Sequence, residues 1–104
     1  MGTASFSVGK YAKSRGTGGT NVLSSDTRTS GAFVTSGTAA NIEDASGDIE
    51  MGLGEVLQVH ADEAMRVVFG GTAATASTGL YIPASTQVEI ECGNSGTVSI
   101  IDVA

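Results

Sequence analysis

Glycine interrupts the apolar runs of this 104-residue chain so often that no segment keeps one apolar face over three helical turns. The sequence contains 15 Gly, 12 Ser and 12 Thr, with one Pro and no Trp. Such residues favour turns and strands, whereas helical proteins are rich in Leu, Glu, Lys and Ala. The sequence therefore predicts an all-β protein, and its length has room for one domain with a thin core.

The strongest strand pattern lies at residues 86–92, where apolar and polar side chains alternate strictly. One side carries Val88, Ile90 and Cys92, and the other carries Gln87, Glu89 and Glu91. This period of two is typical of a half-buried strand. Pro83 ends a strand at 79–82, and residues 72–78 have too little apolar bulk for deep burial. Further strands are predicted at 31–36, 49–53, 55–61, 64–69 and 98–103, the last covered on both faces.

Two hairpins are predicted from the turn residues. Asp62 and Glu63 separate the strands at 55–61 and 64–69, and Asn94, Ser95 and Gly96 separate the strands at 86–92 and 98–103. Six or seven short strands with frequent turns predict a small antiparallel β-sandwich or a jelly-roll-like barrel over residues 31–104.

The charge is divided unevenly along the chain. Residues 1–30 carry four cations and one carboxylate, a net charge of +3, whereas residues 31–104 carry one cation and ten carboxylates, a net charge of −9. The first segment is rich in Gly, Ser and Thr and has little apolar periodicity, so we expect residues 1–30 to form an extended basic N-terminal arm. Three cations over six positions make a small footprint on DNA, so a nucleic-acid partner is not expected.

The arm is predicted either to be a solvated tail or to lie along an acidic neighbour, such as the body of another copy. An extended segment of 30 residues spans at most about 100 Å, which is enough to cross a subunit boundary. The residues expected to bind a partner are the apolar Phe6, Val8, Tyr11, Val22 and Leu23 and the basic Lys10, Lys13 and Arg15.

The chain has one cysteine, Cys92, and one histidine, His60, so it lacks the residues for an internal disulfide or a structural zinc site. A small domain without either device often gains stability by oligomerising or by docking onto a larger body. No apolar run has the length of a signal peptide or approaches the roughly 20 residues of a membrane span. We therefore expect synthesis in a reducing cytoplasm and no membrane partner.

Few residues suggest chemistry, and each has a simpler explanation. His60 beside Asp62 and Glu63 could act as a base, but no nucleophile motif accompanies it, and a surface position at a strand end is expected. Cys92 on the apolar side of its strand is expected to pack in the core. The acidic run holding Glu43, Asp44, Ser46, Asp48 and Glu50 could bind calcium, although a solvated loop fits it better. We expect neither an enzyme nor a cofactor.

The segment EAMRVVFGGTAATASTGLYIPASTQVEI, residues 63–90, resembles small virion proteins of tailed bacteriophages, in particular capsid decoration (cement) proteins. The likeness is confined to the C-terminal part of the chain. It consists of a strand ending in Val67-Val68-Phe69, the Gly70-Gly71 turn, the Ile82-Pro83-Ala84 stretch and a final alternating hairpin.

The resemblance implies a short β-sandwich or jelly roll, often a homotrimer, that sits on the outer capsid surface of the virion. Such a protein would bind the major capsid protein and stabilise the shell by bridging neighbouring subunits, without catalytic residues or a cofactor. Two other functions fit the same residues: a head-tail or tail-fibre component, and a small receptor- or glycan-binding module. The number of copies in the oligomer, the docking face and the host are not indicated by the sequence.

Overall fold

The computed structural model describes residues 2–12, 22–23 and 27–103, which contain strands and no helix. The all-β prediction is confirmed. In chain order the strands are β1 Thr3–Gly9, β2 Tyr11–Ala12, β3 Val22–Leu23, β4 Thr29–Val34, β5 Ala40–Asn41, β6 Glu43–Asp44, β7 Gly47–Asp48, β8 Glu50–Met51, β9 Val56–Ala61, β10 Met65–Phe69, β11 Leu80–Ile82, β12 Thr86–Glu91 and β13 Gly96–Asp102.

Two antiparallel sheets form the body of the protein. The first has the strand order β12-β9-β1-β4, and the second has the order β11-β10-β13-β5, with β8 also paired to β13. Their inner faces share one cluster of buried side chains, so the arrangement is a sandwich. The jelly-roll-like connectivity stays a prediction. Short ladders join β2 to β3 and β6 to β7.

The core follows the period-two pattern of the strands. Phe6, Leu57 and Val59 point inward from the first sheet, and Val67 and Ile100 point inward from the second, each at most 3 % exposed. Burying one such side chain stabilises the fold by about 1.5–3 kcal/mol. Cys92 is also buried, at 2 % exposure, as its position on the apolar side of its strand predicted.

The N-terminal residues 3–9 form a strand of the sandwich, so the prediction that residues 1–30 form an extended arm is wrong for these residues, whereas residues 13–21 and 24–26 lie outside the described residues. β1 lies between β9 and β4 and pairs with both over residues 4–8. The predicted domain boundary after residue 30 cuts through β4. Sheet pairing orders β1 because its inner side, Ala4, Phe6 and Val8, alternates with outward-facing Ser5 and Ser7.

Phe6 and Val8 are therefore not available as partner-binding anchors. Phe6 is 3 % exposed and Val8 is 0 % exposed, both against the other sheet. Lys10, by contrast, is exposed at the end of β1. Tyr11 pairs with Leu23 and Ala12 pairs with Val22, so this backbone forms a ladder nested within the β1–β4 pair. Lys13 and Arg15 lie outside the described residues, and their predicted contacts stay predictions.

Both predicted hairpins are wrong, because each connection leads from one sheet to the other. β9 pairs with β1 and β12, whereas β10 pairs with β11 and β13. Likewise β12 belongs to the first sheet and β13 to the second. Ala61 and Met65, on either side of one connection, are both fully buried between the sheets. The turn residues were identified correctly, but a turn between sheets has the same signals as a turn within one.

The segment between β10 and β11 covers the outer face of the second sheet. Ala74 donates its backbone N–H to Ser99 Oγ at 2.9 Å, and Arg66 donates to the carbonyl oxygens of Ala76 at 3.2 Å and Gly79 at 3.0 Å. Ser99 and Ile101 are consequently 2 % and 7 % exposed. The expectation that the last strand is covered on both faces is confirmed.

Arg28, which the charge pattern grouped with the arm, is bound to the body. Its guanidinium donates to both carboxylate oxygens of Glu55, at 2.8 and 3.2 Å, and to the carbonyl oxygen of Glu50 at 2.9 Å. The hydrogen bond from Arg28 lowers the pKa of Glu55 below its ordinary 4.5, against the opposing effect of burial. This ion pair fixes the start of β4 beside the loop between β8 and β9.

Replacing Phe6 with Ala is expected to lower the free energy of unfolding by about 3–5 kcal/mol, because the change empties a core position. Ser5→Ala on the outward face of the same strand should change it by less than about 0.5 kcal/mol. Urea denaturation measures both values. Equal stability of the two variants would show that β1 is not a core strand.

Replacing Gly79 with Ala should destabilise the protein by about 1–3 kcal/mol, since strained backbone conformations cost this much. Gly79 has φ +115°, and a Cβ there would lie 2.9 Å from the carbonyl oxygen of Val67. Gly37→Ala is the matched control, because nothing lies within 4 Å of its Cβ position. Thermal unfolding of the two variants compares them, and a similar loss at both glycines would contradict the proposed close approach.

The Arg28–Glu55 pair predicts a specific pH dependence. Because the folded-state pKa of Glu55 is depressed, its stabilisation is present above pH 4.5 and is lost as the pH falls through the folded pKa. Glu55→Gln should therefore flatten the loss of stability below pH 4.5, whereas Glu89→Gln should not. Urea midpoints measured from pH 3 to 7 test this, and parallel curves for wild type and Glu55→Gln would refute it.

Candidate protein-binding groove

Two edge strands lie together on one side of the sandwich. β11 is the last strand of the second sheet and β12 is the last strand of the first. They follow each other in the chain, joined by residues 83–85, and do not pair with each other. Among the described residues, each strand has a hydrogen-bonded neighbour on one side only. The sandwich therefore opens between these two edges.

An apolar groove of about 380 Å³ lies at this opening. Leu80 on β11 is 53 % exposed, and Phe69 and Ile90 on either side are half-buried. These three side chains are on the inner faces of their strands, where the neighbouring Val67 is fully buried. The residues lining the groove are Val67, Val68, Phe69, Gly79, Leu80, Ile90, Glu91, Gly93 and Asn94.

Backbone features of the sequence place Leu80 at the groove. Gly79 adopts φ +115°, a conformation that L side chains rarely adopt, so β11 can begin directly over the backbone of Val67. Pro83 then ends β11 after three residues, and Ser85 has φ 56° in the turn to β12. The short β11 consequently does not reach Phe69, whose inner side is only partly covered.

The outer side of β11 is also apolar. Tyr81 is 51 % exposed, and the Arg66 guanidinium lies 5.2 Å from the centre of its ring. Such a cation–π contact orients an aromatic ring while leaving its other face to solvent. β11 thus exposes Leu80 on its inner face and Tyr81 on its outer face.

Glu89 and Glu91 make the neighbouring β12 edge acidic. Together with Gln87, they point away from the core and are exposed. Their partners on β9 are Gln58 for Glu89 and Val56 for Glu91, so the ladder supplies no cation beside them. The candidate site therefore combines an apolar groove with an acidic border.

The outward face of the first sheet carries a second, polar cavity of about 400 Å³. His60 is exposed on this face between Ser5 on β1 and Gln87 on β12, as expected for a surface histidine. The nearby Asp62 accepts a hydrogen bond from the backbone N–H of Thr3 at 2.7 Å. This carboxylate holds the start of β1, which gives it a structural role. The cavity is lined by Ser5, Phe6, Ser7, Ser30, Gly31, Gln58, His60 and Gln87.

The acidic segment 43–48 folds as the β6–β7 hairpin, and the carboxylates of Asp44 and Asp48 accept hydrogen bonds. Asp44 accepts from the N–H of Ser46 at 2.8 Å and from Thr29 Oγ1 at 2.9 Å, and these bonds lower the pKa of Asp44. Asp48 accepts from Asn41 Nδ2 at 3.0 Å. Within residues 2–12, 22–23 and 27–103, no three His, Cys, Asp or Glu side chains are grouped as a metal site would require.

Sequence reasoning missed Leu80 and Tyr81 as site residues, because both lie in what was predicted as an ordinary strand. The available signal was Pro83, since proline is typical of strands at the edge of a sheet. The described part of the chain contains no helix with the length and apolar character of a membrane crossing.

Comparison of the chain with family models, with curated proteins and with solved structures finds no match.

Proposed function

We propose that this protein is a structural component of a tailed-bacteriophage virion that decorates the outer capsid surface and bridges neighbouring major capsid proteins. The observation that carries the proposal is the apolar groove at the open side of the sandwich, where Leu80 of the edge strand β11 is 53 % exposed beside the edge strand β12. The resemblance of residues 63–90 to capsid decoration proteins supplies the identity of the partner.

The groove can supply binding energy through burial. Fully burying an exposed leucine is worth about 1.5–3 kcal/mol, so covering the exposed half of Leu80 is worth about half of this, and Phe69, Ile90 and Tyr81 add apolar area around it. A single site of this size would bind weakly. On a shell, however, identical contacts recur by symmetry, and a bridging oligomer engages several at once. Separation of capsid subunits would then require the simultaneous loss of many contacts.

Charge is the second contribution. The basic Lys10, Lys13 and Arg15 follow β1, whereas residues 31–104 carry a net charge of −9. Because β1 is a core strand, the basic segment that follows it in the sequence replaces the free arm as the binding element, and Tyr11, Val22 and Leu23 keep their predicted apolar contacts. It binds an acidic neighbour, either the capsid protein or another copy in a homotrimer.

The position on the particle distinguishes decoration from the related proposal of a head-tail or tail-fibre component. Hundreds of copies per particle would place the protein on the shell, whereas a dozen or fewer would place it on the tail axis. Quantitative mass spectrometry of purified virions gives this number.

A second candidate function, a receptor- or glycan-binding module, is favoured by one observation. The polar cavity on the first sheet is lined by hydroxyl and amide side chains together with His60, which suit hydrogen bonding to sugar hydroxyls. None of the described residues that line it is an exposed aromatic, which counts against a glycan ligand. Binding on a glycan array that His60→Ala abolishes would support this alternative.

Leu80→Ser is expected to reduce affinity for purified heads lacking the protein by roughly three- to tenfold, which corresponds to losing the burial of the exposed half of this leucine. Leu53→Ser is the matched control, because Leu53 is 69 % exposed and does not line the groove. Both variants should unfold at the wild-type temperature within a few degrees. Equal occupancy of Leu80→Ser and wild type would exclude the groove as the capsid-binding site.

A further inference from the structure

We infer that β12 is a docking edge that takes up an extended strand of the partner protein, with apolar side chains on one face and basic side chains on the other. The inference rests on the proposed function, because both take the ligand of the groove to be a protein. It specifies the chemistry of the segment that binds, which the groove alone does not give.

The backbone of β12 supplies the first part of the argument. All six residues of β12 pair with β9 on one side. The opposite edge therefore carries backbone N–H and C=O groups along the whole strand that can pair with an added strand. No strand of the described residues occupies that edge. An added strand would extend the first sheet from four strands to five, which is the mode called β-augmentation.

The inner face of β12 determines what the added strand carries toward the core. Val88 and Ile90 are half-buried on the inner face, and Ile90 lines the groove together with the exposed Leu80 of β11. A strand beside β12 would place every second side chain over this opening. Apolar side chains at those positions would complete the burial of Ile90 and Leu80.

The outer face determines the charge of the alternate positions. Glu89 and Glu91 point outward two residues apart, and their β9 partners, Gln58 and Val56, are uncharged. On an added strand, the side chains directly opposite or diagonal to these carboxylates would be their nearest neighbours. Lys or Arg at those positions forms cross-strand ion pairs, whereas Asp or Glu there is repelled.

The same carboxylates disfavour a second copy of the chain as the occupant. Joining two copies through this edge would bring four carboxylates, Glu89 and Glu91 from each, onto one face of the joined sheet. Charged residues on an edge strand are a common protection against self-pairing. The edge therefore rejects its own copy and accepts a basic strand.

The experiment uses the full chain and a synthetic peptide of alternating Val and Lys, with binding followed by fluorescence anisotropy at low ionic strength. The matched peptides replace Lys with Glu, or carry N-methyl groups on alternate amides so that strand pairing is blocked. Only the unmethylated Val–Lys peptide is expected to bind. It should slow amide hydrogen exchange in residues 86–91 and leave the opposite edge, β4, unchanged.

The double substitution Glu89→Lys and Glu91→Lys is expected to weaken binding of the Val–Lys peptide about tenfold or more and to favour the Val–Glu peptide, because two attractive cross-strand pairs become repulsive. Glu43→Lys with Glu50→Lys is the control. It changes the net charge equally at two exposed carboxylates that do not line the groove, and the peptide preference should stay as in wild type.

Absence of Val–Lys binding, protection outside residues 86–91, or an equal effect of the two double substitutions would overturn the inference. These results would not decide the proposed function, which is tested separately by occupancy of Leu80→Ser on heads. If Leu80→Ser loses head binding but the peptide does not slow amide exchange in residues 86–91, the groove remains the capsid-binding site and β12 is not the docking edge.

Discussion

Hydrogen bonding of β1 on both sides is the constraint on which the rest of the sandwich depends. β1 joins β9 to β4, so without it the first sheet would consist of β12 and β9 alone. Carboxylates hold its N-terminal end: Asp62 accepts from the N–H of Thr3, and Asp102 of β13 accepts from the N–H of Gly2 at 3.1 Å and from the Thr35 hydroxyl. Because Asp102 belongs to the second sheet, this contact also ties the two sheets together at one end.

The location of the groove follows from how the two sheets end. β11 has only three residues and leaves Phe69 partly covered and Leu80 53 % exposed, while β12 is a full strand with one edge that no described strand pairs. A longer β11 would close this side of the core more completely. The incomplete cover costs burial in the isolated chain, and a partner that fills the groove would restore it. The acidic outer face of β12 would restrict which partner can do so.

The failure of the arm prediction shows how two sequence signals can conflict. Cations, glycines and hydroxyl residues dominate residues 10–30 and favour an extended chain, and that interpretation was carried over the whole segment. The alternation of Ala4, Phe6 and Val8 with Ser5 and Ser7 was an equally clear strand signal over a shorter range. The strand forms because β1 pairs with β9 and β4, which are distant in the sequence and which composition does not reveal.

The sequence by itself determined the all-β class, most strand positions after residue 30, the inward side of β12 and the burial of Cys92, because alternation and turn chemistry are local properties. Only the tertiary structure decided which strands are neighbours. A turn after β9 or β12 looks the same whether the chain returns in its own sheet or crosses to the other, so two predicted hairpins became connections between sheets. The groove was also decided by the tertiary structure. Leu80 is exposed only because β11 and β12 are the edges of different sheets and leave the space between them open.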